Sequence, residues 1–577
     1  MRQSFALTTI LLLSFGANSL FAQKATTDAG DGAASDLDSL KARISEQQAA
    51  IRKLQQAVDE QQKLLERALQ TAAAMPPSAK TADGTALATA STTNVANPVR
   101  LIPALGSGRS YGPAYPSPQD ASSNSHNPCD AEGAPSPTFI RLGGVCIVPI
   151  GFMDLTAVWR DKNAGSSIGT NFGSVPYNNT TNAKNSEFRF SPQNSRIGFR
   201  IDGDWLGTHF IAYNEFDFLG TSGATNIGVT NGAFVPRLRL FWLDARKGKV
   251  EFLAGQSWSM LTPNRHGISP LPGDLFYSQV MDVNYMAGLT WTRQPGMRVL
   301  LHPSEKVTLG LSFENPDQYM GGANGGGAAT LPSALTGLAA TQLDNGGTIG
   351  TANTVLTTPT VAPDIIAKIA LDPNSRFHFE VAGLVSQFKI WNPNTGAALG
   401  AGQHFSATGA GVQLGLNAAI TKNFRLISTN YWSDGGGRYL FGQAPDVIVR
   451  SNGSLSPVHA GGTVDGFEAT LKNTLLFAYY GGIVIERDVA LDTTGKQIGY
   501  GYAGSSNSQN RSIQEGTLGF NQTVWKNPRY GAISLIGQYE YATRDPWAVA
   551  VGAPRATHDN TIYFDVRYSL PGSTPKF

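Results

Sequence analysis

The sequence predicts an all-β fold: an antiparallel transmembrane β-barrel of about 16 strands, preceded by an N-terminal α-helical coiled coil. Three observations point there. Segments from residue 146 onward alternate apolar and polar with period two, and their polar faces carry Arg, Asp and Glu. The connections between them alternate strictly between short and long. Residues 37–68 hold a seven-residue apolar repeat.

Composition fits a chain that keeps few charges on its surface. Of 577 residues, 15% are charged, where about 25% is usual for soluble domains. A net charge of +2 gives no basis for binding nucleic acid. Two cysteines are too few for a disulfide scaffold.

Residues 1–22 read as a signal peptide, with Arg2, an apolar run over 5–15 and a small residue, Ala22, at the cleavage position. That run falls short of the ~20 residues a spanning helix needs, and no later apolar stretch reaches that length. A membrane-inserted form must therefore be a barrel, because only helices and closed barrels satisfy every backbone group in lipid. Residues 35–70 are the coiled coil. Leu37, Ile44, Ile51, Val58 and Leu65 form one row of its seam, and Leu40, Gln47, Leu54, Gln61 and Ala68 the other. So narrow a stripe suits a partner helix and not a globular core. Residues 71–137 are a Pro/Ser/Ala-rich linker without periodicity. Cys129 and Cys146 bracket its end and are expected to pair in an oxidising compartment.

The barrel is expected over residues 138–577. Met153, Leu155, Ala157 and Trp159 oppose Asp154, Thr156, Val158 and Arg160. Leu238, Leu240 and Trp242 oppose Arg237, Arg239 and Phe241. Ile562, Phe564, Val566 and Tyr568 oppose Thr561, Tyr563, Asp565 and Arg567. Short turns fall at 203–207, 246–249, 303–306, 372–375, 421–423, 472–474 and 526–529. Long loops rich in Gly, Asn and Thr fall at 163–185, 220–233, 262–283, 315–363, 392–403, 435–463, 490–510 and 543–557. Short periplasmic turns alternating with long extracellular loops mark an outer-membrane barrel.

The chain resembles the DcaP-type trimeric outer-membrane porins. The resemblance lies in Gly151-Phe-Met-Asp-Leu-Thr-Ala, Ser195-Arg-Ile-Gly-Phe-Arg, Arg237-Leu-Arg-Leu-Phe-Trp, Leu253-Ala-Gly-Gln-Ser-Trp-Ser, Arg293-Gln-Pro and Gly435-Gly-Gly-Arg-Tyr. Their order along residues 146–571 carries more weight than any one of them. It implies a homotrimer of 16-stranded barrels in outer-membrane lipid, a periplasmic coiled coil, and passage of small hydrophilic, often anionic, solutes. The two-cysteine linker and the Pro-containing tail depart from that pattern.

Enzyme signatures are absent from the sequence. There is no P-loop, no His-Glu-x-x-His and no clustered Cys/His metal spacing, so neither metal nor cofactor is expected. His209, His378 and His558 read as lumen or loop histidines. The expected function is therefore selection by size and charge. Arg196, Arg200, Arg237, Arg239 and Arg298, with Lys368 and Arg567 further round, are expected to line the lumen as a basic patch. Glu215, Asp217, Glu314 and Glu380 share that face. The third long loop, with Arg265, Asp274 and Asp282 as its charges, is expected to fold inward as a constriction, its carboxylates facing the arginines. The alternative is a structural envelope protein, the barrel an anchor and the coiled coil a spacer to the cell wall.

Overall fold

The computed structural model describes residues 140–571, apart from 165–167, 221–233, 272–274, 278–284, 338–340, 346–359, 394–401 and 528. The expected signal peptide, coiled coil and linker, including Cys129, lie outside the described residues, as do Asp274 and Asp282.

A short arm, β1 (Ile140–Leu142), pairs with β2 (Val145–Arg160). β3 (Glu187–Ser191) and β4 (Arg196–Trp205) pair with the later and earlier halves of β2, making one interrupted barrel strand. The wall continues through β5 (Thr208–Gly220), β6 (Val235–Lys247), β7 (Val250–Trp258), β8 (Arg293–Ser304) and β9 (Val307–Glu314). β10 (Asp364–Asn374), β11 (Phe377–Asn392), β12 (Gln403–Thr421) and β13 (Phe424–Asp434) follow. A small hairpin, β14 (Val447–Val449) with β15 (Leu455–Pro457), precedes β16 (His459–Leu471) and β17 (Thr474–Ile485). A second, β18 (Asp488–Leu491) with β19 (Gln497–Tyr500), precedes β20 (Asn510–Asn527), β21 (Gly531–Pro546) and β22 (Thr557–Ser569). β22 pairs back onto β2, from Phe152↔Ser569 to Arg160↔Thr561. The sheet is a closed antiparallel barrel of 16 strands. Closure leaves no unpaired edge, which lipid would not tolerate.

The polarity is that of a barrel turned inside out. Ile197, Phe199, Phe241, Val299, Leu414 and Phe564 point outward and are exposed, while Asp154, Arg200, Glu215, Lys368, Glu380 and Asp565 point inward and are buried. An apolar outer band around a charged interior matches a bilayer outside and water within. The outward rows agree with the sequence alternation on β2, β9, β11 and β22.

β6 departs from it. The ladder to β5 runs Glu215↔Leu240 and then Phe216↔Leu238, so Arg239 is an extra residue on the β6 side. This bulge shifts the alternation by one. Leu240 and Trp242, expected outward with Leu238, turn inward and are 0% and 4% exposed, while Phe241 and Leu243 face out. A bulge re-aims side chains in this way, and it puts Arg237, Arg239 and Leu240 on the same inner face.

Candidate functional site

The site is the barrel interior at the level of the third long connection, residues 259–292. Its sequence is rich in apolar residues, and they are buried: Met260, Leu261, Ile268, Leu275, Phe276, Tyr285, Met286, Leu289 and Trp291 are all at most 4% exposed. They pack with inward-facing wall residues Leu300, Ile366, Leu384, Tyr431 and Phe477. The hydrophobic core thus sits inside the barrel, and this loop packs into its middle. At Gly310 a Cβ would come within 2.8 Å of Met260 Sδ and 3.1 Å of Ile268, so the wall is kept thin where the loop seats.

Polar contacts fix the loop's course from strand to strand. The Met260 amide donates to Glu314 on β9 at 2.8 Å. Lys368 on β10 donates to the Thr262 carbonyl at 2.9 Å. The Asn264 amide donates to Glu380 on β11 at 3.2 Å, and Gly267 to Asp372 on β10 at 3.0 Å. Arg265 reaches Glu468 on β16 with two bonds, 2.9 and 2.5 Å, and stacks on Tyr277 at 5.1 Å. Burial alone would pull the Arg265 guanidinium down, but Glu468 together with Tyr277 and Tyr479 outweighs this, and its pKa is raised. The Tyr277 amide donates to Tyr479 on β17, and the Ala287 amide to Glu515 on β20 at 2.8 Å. The backbones touch at the far end: a Cβ on Gly481 would lie 2.1 Å from the Ala287 carbonyl oxygen. The expected inward folding is therefore present for the described part of the loop. Arg265 turns to Glu468 on the wall across from the expected arginine patch.

That patch lies on β4, β5 and β6. Arg196, Asp217 and Arg237 stand side by side on the three strands. Arg237 meets Asp217 at 2.5 Å, Arg239 meets Asp217 at 2.9 Å and Glu215 at 2.7 Å, and Arg196 lies 3.8 Å from Glu215. Three guanidiniums thus converge on two carboxylates. Arg567 on β22 meets Asp154 at 2.7 Å. Arg196 and Arg567 both lie over the Phe152 ring, at 5.3 and 4.2 Å, which joins them across β2. Arg200 meets Asp202 at 2.6 Å lower on β4. The patch predicted from sequence is thus an ion-pair network.

Two predicted members stand apart from it. Arg298 on β8 is buried and donates to Ser257 Oγ at 3.0 Å. Lys368 is covered by the loop, and its ammonium is 2.9 Å from Glu380. It anchors the loop to the wall. Cys146 is buried on the inner face of β2 beside Val148 and Ile150.

Sequence reasoning missed the groups that hold the loop: Glu468, Asp372, Tyr479 and Glu515. Asp372 was read as part of a short turn, and nothing local marks a strand residue as the partner of a loop residue more than a hundred positions away. It also missed a cluster in which His266 on the loop, Asp372 and His378 come together, with one donor atom of each within 4.8 Å of the others.

Comparison with known proteins places the fold. The chain is similar to the outer membrane channel DcaP of Acinetobacter baumannii, with a TM-score of 0.52 and 17% identity over 75% of this chain and 99% of that one. Lower similarities include an anion-selective porin from Comamonas acidovorans, TM-score 0.41 and 12% identity over 74% of this chain and 100% of that one. Another is OmpF of Salmonella typhi in complex with daunomycin, TM-score 0.40 and 8% identity over 75% of this chain and 100% of that one. At these identities the likeness is one of fold. No protein-family model and no curated protein matches the chain.

Proposed function

We propose that this chain is an outer-membrane porin, a passive diffusion channel for small hydrophilic solutes. The observation that carries the reading is the closed barrel with an apolar outside, a charged inside and a long loop bound within it. A barrel of this strand number is wide enough for an aqueous channel, and an inward loop narrows it.

We infer a preference for anions such as small carboxylates from which member of three of these ion pairs meets the lumen. The Arg237 side chain is 32% exposed and Asp217 1%; Arg567 is 11% and Asp154 0%; Arg200 is 10% and Asp202 0%. In these three pairs the carboxylate sits behind, and a solute meets the guanidinium edge first. Bidentate guanidinium donors suit carboxylates. One observation favours the opposite selectivity: buried carboxylates outnumber buried Lys and Arg among the described residues. The reversal potential of the reconstituted protein in a salt gradient separates the two by its sign. Discrete conductance steps in a planar bilayer support a channel at all; their absence supports the structural envelope role instead.

We further propose a homotrimer, with the coiled coil in the periplasm. One stretch of outer wall favours a protein neighbour over lipid. The outward rows Leu414–Asn430–Thr463–Gly482–Gln514 and Leu416–Ser428–Asp465–Tyr480–Gly516 are largely polar. Apolar residues flank them on both sides along the strands, Trp432 and Val484 above, Leu426, Phe467 and Leu518 below. Asp465, bonded to Ser428 at 2.5 Å and Thr463 at 2.9 Å, lies inside the band that would otherwise be in hydrocarbon. Ionisable groups there are costly unless they face protein or water.

A further inference from the structure

We infer that His266, Asp372 and His378 form a binding site for a divalent transition metal of the zinc class, one that pins the inward loop to the barrel wall. Asp372 and His378 face each other on the β10–β11 hairpin, and His266 is delivered by the loop. Both imidazoles aim Nδ1 at the same oxygen, Asp372 Oδ1, from 2.8 Å in the case of His378. Zinc holds such ligands at about 2.0–2.2 Å, which sets ligand atoms roughly 3–3.5 Å apart around it. The His378 contact has to open by a few tenths of an ångström, and the His266 contact by more, to admit an ion.

The surroundings fit ligands oriented for a metal. His378 turns its other nitrogen to Glu380 at 3.1 Å. Glu380 is itself held by Lys368 at 2.9 Å and Gln413 at 3.1 Å. A carboxylate behind an imidazole fixes its tautomer and raises its basicity as a ligand. Gly267 N–H holds Asp372 Oδ2 at 3.0 Å and leaves Oδ1 turned to the two rings. Asp372 and His378 are 5% and 2% exposed, while the His266 side chain is 20% exposed, so solvent reaches the site from the loop side. Two imidazoles and one carboxylate match zinc and its neighbours, and not calcium or magnesium, which take oxygen. The ion replaces the protons shared along the two N–O contacts, and these pass to solvent, so binding weakens as pH falls.

The test uses the full chain folded in detergent, without a histidine tag and stripped with chelator, titrated with zinc chloride in a calorimeter. Uptake of one zinc per chain is expected, with no response to magnesium. Glu380→Gln should weaken zinc about 10–100-fold, and His266→Ala or Asp372→Asn at least about tenfold. His266 is on the loop and partly exposed, so its variant keeps the barrel, which heat-dependent gel migration verifies. No saturable zinc uptake by the wild type overturns the inference. So does uptake that His266→Ala leaves unchanged, since the zinc is then held elsewhere.

Discussion

Arg237 and Arg239 are neighbours in one network, yet removing each has a different consequence. Arg237 is the exposed end of the chain of charges, and Arg239 is the buried link that serves both Glu215 and Asp217. Arg237→Gln removes a positive charge that the lumen water meets and leaves Asp217 paired with Arg239. The reversal potential should therefore shift toward cations with little change in stability. Arg239→Ala leaves Asp217 to Arg237 and Glu215 with only the longer approach of Arg196, so it should cost stability, though less than the about 3–5 kcal/mol of stranding a buried charge outright. Denaturant unfolding followed by gel migration should show that loss, together with slower carboxylate uptake. If Arg237→Gln leaves the reversal potential in place, these arginines do not set selectivity. The inward position of every one of these arginines was legible from alternation, because side-chain direction in a strand has period two. Glu215 and Asp217 were legible as sharing that face, but which arginine meets which was not, because pairing depends on register, and a single bulge at Arg239 reset it. At the other end of the barrel, Cys146 is buried on the inner face. The proposed pairing with Cys129 predicts no thiol labelling in unfolded, unreduced protein and two labelled thiols after reduction.

Among the elements, the loop of residues 259–292 binds the wall by backbone amides as much as by side chains. Amides of Met260, Asn264, Gly267, Tyr277 and Ala287 all donate to wall groups. Such a loop does not fall away when one side chain is changed. Two perturbations should open it. Deleting residues 269–278 removes the apolar segment with Leu275 and Phe276 and should raise single-channel conductance. Gly481→Ala places a methyl where the Ala287 carbonyl stands, and backbone cannot yield as a flexible side chain does. It should push the returning limb off the wall and change conductance without altering the barrel's strands. Deletion with unchanged conductance and selectivity would show that the narrowest point lies elsewhere. The loop's existence, length and apolar content were plain in the sequence, since a solvated loop has no need of Leu271, Leu275, Phe276 and Tyr277. Its landing points required three-dimensional closure of the sheet, which brings β16, β17 and β20 opposite β7.

At the scale of the molecule, assembly has two separable determinants. Changing Ile44, Ile51 and Val58 to Asp puts charges in the heptad seam at several kcal/mol per unpaired ion. It should dissociate the rod while barrels stay associated through their walls. The wall itself offers a sharper discrimination. If Ser428, Asn430, Thr463 and Asp465 faced hydrocarbon, replacing Asp465 with Leu would remove a buried cost and leave the protein unchanged or more stable. If they meet another copy, the same change deletes a partner from a polar contact and should lower the temperature at which trimers dissociate on gels. A control on the other side of the barrel calibrates the lipid. Val299 faces outward on β8 among apolar neighbours, and Val299→Arg should cost up to about 2–4 kcal/mol near the bilayer midplane without changing the oligomer. We expect Asp465→Leu to weaken trimers and Val299→Arg to weaken the barrel alone. The reverse pattern would move the subunit contact to β8 and leave Asp465 as an isolated acid in the membrane, which its bonds to Ser428 and Thr463 do not suffice to offset.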